Sequence, residues 1–76
     1  MPLDLVTFIL QNLVAEPDRL EVHAERTDRM LHIEVRCAPD DTGRIIGRGG
    51  RVINAVRTLA RAAADGRQRV EVQLLE

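Results

Sequence analysis

The chain predicts an α+β two-layer sandwich, with three helices on one face of a three-stranded sheet and a polar, open face opposite. Three observations carry that expectation. Two segments, near the start and after residue 50, repeat their apolar residues at the helical period. Three shorter segments alternate apolar and polar residues with period two, as half-buried strands do. Between the second and third of these lies GRIIGRGGRV, residues 43–52, where four glycines and three arginines occur without an acid.

Taken in order, LDLVTFILQNLV places Leu3, Val6, Ile9, Leu10, Leu13 and Val14 on one helical face, and the Glu16-Pro17-Asp18 step stops it. Asp4, the lack of basic residues before it and the polar breaks at Thr7, Gln11 and Asn12 make it neither a signal peptide nor a membrane span. LEVHAER sets Leu20, Val22 and Ala24 against Glu21, His23 and Glu25; MLHIEVRC sets Leu31, Ile33, Val35 and Cys37 on one side. The RTDR turn between them makes an antiparallel hairpin, with Val22 opposite Ile33 or Val35 according to register. After Pro39, the run Asp40-Asp41-Thr42 is a helix start, and Gly47 keeps that helix short. RVINAVRTLARAAADG then predicts a longer helix with a buried stripe of Val52, Val56, Leu59 and Ala63. Its polar face is Arg51, Asn54, Arg57, Thr58 and Arg61, and Asp65-Gly66 closes it. RVEVQLLE, with Val70, Val72 and Leu74 inward, is the third strand.

Composition narrows the function. Phe8 is the one aromatic residue in 76, which excludes modules that stack bases on aromatic platforms. Cys37 is alone, so no internal disulfide forms and a reducing cytoplasm is the expected setting. The net charge is −1, yet the segment from Thr42 to Ala64 holds five of the eleven arginines and none of the twelve acids. Such clustering is the footprint of an anion site. A glycine-rich corner between helices is, on its own, either a tight packing turn or a place where a sugar–phosphate backbone approaches the main chain. The flanking Arg44, Arg48 and Arg51, and the helix N-terminus that follows, favour the second. A P-loop is excluded because the chain has no lysine, and a dinucleotide fingerprint fails because Val52 stands at its third glycine.

Gly47-Arg48-Gly49-Gly50 resembles the GXXG loop of KH domains, preceded by the family's isoleucines at 45 and 46. The order strand, helix, GXXG, helix, strand matches the KH core, here 30–76. The added N-terminal helix and strand, 1–26, match the prokaryotic (type II) arrangement. Over its whole length the chain resembles the KhpA (YlqC) family of small bacterial RNA-binding proteins. That resemblance implies a loop that clamps about four nucleotides of single-stranded RNA, acting as RNA binder or RNA chaperone. The implied contacts are Arg44, Ile45, Ile46, Gly47, Arg48, Gly49, Gly50, Arg51 and Val52, with the groove extended by Val35 and Arg36. Gly49 departs from the polar or basic residue common at its position. No cofactor, metal or catalytic group is implied.

His23 and His32 share the open sheet face and meet in one register, but no third metal ligand is evident. Cys37 lacks a base partner and is expected in the core, and the acids form no paired catalytic frame. Ile53, Ala60 and Ala64 lie on a third side of the long helix, which marks either a second partner or merely a good helix former. The resemblance favours a partner, implying a homodimer through that side or a heterodimer with a larger Jag-type (KhpB) RNA-binding protein. The alternative function it implies is an assembly module for such a partner.

Overall fold

The computed structural model describes residues 1–75. Its elements run α1 (Pro2–Leu13), β1 (Glu21–Arg26), β2 (Met30–Arg36), α2 (Thr42–Ile46), α3 (Arg51–Ala64) and β3 (Arg69–Leu74), with single 3₁₀ turns at Pro17–Arg19, Pro39–Asp41 and Arg48–Gly50. Pro2 opens α1, where its missing N–H costs no hydrogen bond, and Val14 leaves the helix extended. The sheet order is β1-β2-β3. β1 pairs antiparallel to β2 with Val22 opposite Val35, the second of the two expected registers, while β2 and β3 run parallel with Ile33 beside Val72.

All three helices cover the face that carries Leu31, Ile33, Val35, Val70 and Val72, and the core closes with Val6, Leu10 and Val14 from α1, Ile45 from α2, and Ile53, Val56, Ala60 and Ala64 from α3. The α+β sandwich and the α-β-β-α-loop-α-β order are as expected. β1 is shallower than its alternation implies: Val22 is half-buried but Ala24 is exposed.

The long helix buries a different stripe from the expected one. Ile53, Val56, Ala60 and Ala64 face the core, whereas Leu59 is 47% exposed and Val52 and Ala63 are half-buried. A dimer contact through Ile53, Ala60 and Ala64 is therefore ruled out. Both stripes obey the helical period and share Val56. Close approach decides between them: α3 packs against α1 and the sheet so tightly that alanine fills the space at 60 and 64, and the larger leucine is left outside.

On the open face the register separates the histidines. His23 stands opposite Glu34 and His32 opposite Glu25, and His32 Nε2 donates to Gln73 Oε1 at 3.0 Å. Among the described residues no cluster of three metal-ligating side chains occurs.

Candidate functional site

The site begins at Asp41, the residue before α2. Its carboxylate does not cap its own helix. Oδ1 accepts from the N–H of Ala15 at 2.9 Å and Oδ2 from that of Glu16 at 3.1 Å, and Arg44 Nε lies 3.3 Å from Oδ1. Among the described residues Asp41 is the one charged residue in the core, 1% exposed. It ties the exit of α1 to the helix that precedes the glycine loop. The Ala15 N–H is the main cause that holds its carboxyl below the usual carboxylate range; burial pushes the other way, and the Glu16 N–H and the charges of Arg44 and Arg19 add to the lowering.

A carboxyl with a lowered folded pKa stabilises the fold fully above its unfolded value and loses that effect as pH falls through the folded one. Asp41→Asn presents an amide N–H₂ to a backbone donor and loses the charge facing Arg44. The variant should melt several degrees below the parent at pH 7, and the gap should begin to narrow below the ordinary aspartate value of about 4 and close only once the pH has fallen through the lower folded value. Parallel melting curves from pH 2 to pH 7 check this. Equal midpoints at neutral pH would remove the account.

After α2 the chain reverses through three left-handed glycines. Gly47 (φ 75, ψ 172) ends α2 with its N–H on Gly43 O at 2.9 Å. A Cβ there would collide with the Val52 side chain and come within 2.8 Å of Val52 N, so glycine is required on steric as well as conformational grounds. Gly49 (φ 64) points into open space, and Gly50 (φ 83, ψ 11) leads directly into α3. Within the reversal the N–H of Gly50 is taken by Gly47 O at 3.2 Å and that of Arg51 by Arg48 O. The first turn of α3, with its positive dipole end, begins directly after this reversal.

The expected site residues separate into two groups. Arg44, Arg48, Arg51, Gly47, Gly49 and Gly50 are brought together at the surface around the loop, with Ile46 and Val52 half-buried beside them. Ile45 and Val35 are fully buried in the core, so neither can line a groove; they support α2 and β2 from beneath. Of the implied groove wall on β2, Arg36 remains exposed.

Sequence reasoning missed a cleft on the other side of α3. About 330 Å³ in volume, it is lined by Arg57, Arg61, Glu71, Val72 and Gln73, between the arginine face of α3 and the free edge of β3. The N–H groups of Arg69 and Leu75 bond toward Arg29 and Val35, so the alternate residues Val70, Val72 and Leu74 turn their N–H and C=O groups outward. Arg57 spans the cleft: its Nε donates to Val72 O at 3.1 Å and its Nη1 to Asn54 Oδ1 at 3.1 Å. The handedness of a parallel strand–helix–strand crossover would have put this helix face over the β3 edge. That rule applies only once β3 is known to pair with β2 in parallel. Donor groups dominate the loop and the arginine face alike, an arrangement suited to phosphate oxygens and to the acceptor edges of bases.

The chain matches the family described as "KhpA/KhpB, KH domain" over residues 3–74. It is 44% identical over 71 residues to the RNA-binding protein KhpA of Leifsonia xyli subsp. xyli, covering 93% of this chain and 92% of that protein. It is 40% identical over 73 residues to the RNA-binding protein KhpA of Caldanaerobacter subterraneus subsp. tengcongensis, at 95% and 97% coverage. With the RNA-binding protein KhpA of Borreliella burgdorferi it shares 35% identity over 75 residues, at 97% and 92% coverage. With a family match over residues 3–74 and relatives of 35–44% identity along nearly the whole chain, the chain belongs to the KhpA/KhpB KH-domain family.

Proposed function

We propose that this protein binds single-stranded RNA in the cytoplasm by holding its phosphates against the Gly47–Gly50 loop, without catalysing a reaction. The observation that carries the reading is the acid-free loop itself. Glycines at positive φ keep this stretch of main chain free of side chains at the positive end of α3, flanked by Arg44, Arg48 and Arg51. Bases extend from the loop past Ile46 and Val52, and the cleft at the β3 edge offers donors to their edges. The naming of similar proteins from three organisms as RNA-binding supports it.

Fewer than the five arginines of the segment are free to bond a phosphate directly. Arg57 is engaged by Val72 and Asn54, and Arg44 by Asp41. Arg48, Arg51 and Arg61 have no ion pair among the described residues. Three neutralised phosphates at about −0.7 each give a log–log salt slope near −2 for a single strand. Fluorescence anisotropy of a labelled eight-nucleotide RNA between low and moderate salt measures it. A slope near zero, or equal affinity for blunt duplex RNA, would count against the proposal.

The assembly reading also has an observation behind it. Phe8 is 65% exposed, opposite Val6 and Leu10 on α1, and Leu59 stands off the buried stripe of α3, which packs directly on α1. Two large apolar side chains on the outer side of so small a helical layer favour a partner there. A second copy of this chain or a KhpB-type protein would cover them, with the RNA loop left open.

A further inference from the structure

We propose that Asn54 contacts the bound RNA directly and is held in place for that role by Arg57. The inference rests on the RNA-binding reading above and adds a residue to it. Arg57 is half-buried and bridges two elements, with Nε on Val72 O and Nη1 on Asn54 Oδ1. A guanidinium has only donors, so the Asn54 oxygen has to face it and the amide N–H₂ has to face away. On that far side lies the glycine loop: a Cβ built on Gly50 would sit 3.4 Å from Asn54 Nδ2. The N–H₂ therefore lies over the backbone of Gly50, exposed and with no acceptor among the described residues.

The chain of bonds runs from the sheet edge to the loop: Val72 C=O, Arg57, Asn54, then the space above Gly50. Each link fixes the next. The carbonyl anchors the guanidinium, the guanidinium orients the amide, and the amide presents donors to whatever the loop grips. That group must be an acceptor, either a phosphate oxygen or the N or O of a base. Asn54 is the contacting residue and Arg57 the positioning residue.

Asn54→Asp separates this from a purely structural pair. Aspartate still offers Arg57 an oxygen, so the staple between α3 and β3 is kept as an ion pair, but a carboxylate replaces the amide donor above the loop. The variant should melt at or above the parent's temperature and bind an eight-nucleotide single-stranded RNA at least about tenfold more weakly. Asn54→Ala, favourable in an exposed helix position, should also bind more weakly than the parent, by less than the aspartate variant because it adds no charge facing the acceptor. Arg57→Ala combined with Asn54→Ala should cost less than the two single losses together, because Arg57 acts through Asn54. Eight-nucleotide runs of U, A and C identify the acceptor: a uniform loss assigns it to the phosphate, a loss confined to some runs assigns it to the base. Affinity unchanged in the alanine variant overturns the proposal, since the added charge alone could weaken the aspartate variant. The Arg48→Asp, Gly49→Asp double variant, measured alongside, tells which statement has failed. If it loses binding while the Asn54 variants do not, only the role of Asn54 is wrong; if none loses binding, the RNA reading falls too.

Discussion

Replacing Arg48 and Gly49 together by aspartate should lower affinity for single-stranded RNA by about 30- to 1,000-fold and leave the protein folded. The change takes the loop from one positive charge to two negative ones beside the positive end of α3. Loss of an arginine–phosphate bond and two new repulsions together cost on the order of 2–4 kcal/mol. The fold is safe because neither position is packed: Arg48 and Gly49 are exposed, and a Cβ at Gly49 meets nothing within 4 Å. Gly49 is left-handed, at φ 64, a conformation that costs an L-residue about 1–2 kcal/mol and that aspartate tolerates better than most. Gly47 could not be changed in the same way, since its Cβ would strike Val52. Melting temperature and anisotropy measured on both proteins check the prediction. A folded variant that binds as tightly as the parent would mean that this loop is not where phosphate is held.

The order of elements and the glycine loop were legible because both rest on local signals. Alternation with period two, a helical period and a glycine cluster need no knowledge of what lies across the molecule. The contacts that were missed are all long-range. Asp41 looks like the start of α2, and only the fold reveals that its carboxylate serves Ala15 and Glu16, more than twenty residues earlier. Ile45 and Ile46 are neighbours of the same type, and nothing local says that the first is buried and the second half-exposed. Arg57 belongs to a run of arginines that, in the sequence, all look available to phosphate, until β3 is placed parallel to β2 with its open edge beneath the helix.

The faces of α3 offer the sharpest contrast, testable with adjacent residues. Ala60→Glu should unfold the protein at neutral pH, whereas Leu59→Glu should leave it folded. Ala60 is fully buried between α3, α1 and the sheet, and the space suits a single methyl group. A glutamate there adds overpacking of about 1–3 kcal/mol. It also adds an unpaired carboxylate in an apolar site, which costs several kcal/mol more. A chain of 76 residues has a total stability of roughly 4–11 kcal/mol, so the sum removes most or all of it. Leu59 is 47% exposed, and a charge at that position can reach water. If Phe8 and Leu59 are covered by a second copy, sedimentation equilibrium of the parent should give about twice the 8.5 kDa chain mass, and Leu59→Glu should give a folded species near one chain mass. Circular dichroism of Ala60→Glu should show a largely unstructured chain. A cooperative melt for that variant near the parent's temperature would mean that the Ile53–Ala60–Ala64 stripe is not the core. A Leu59→Glu variant that sediments with the parent would mean that association, where it occurs, uses another face.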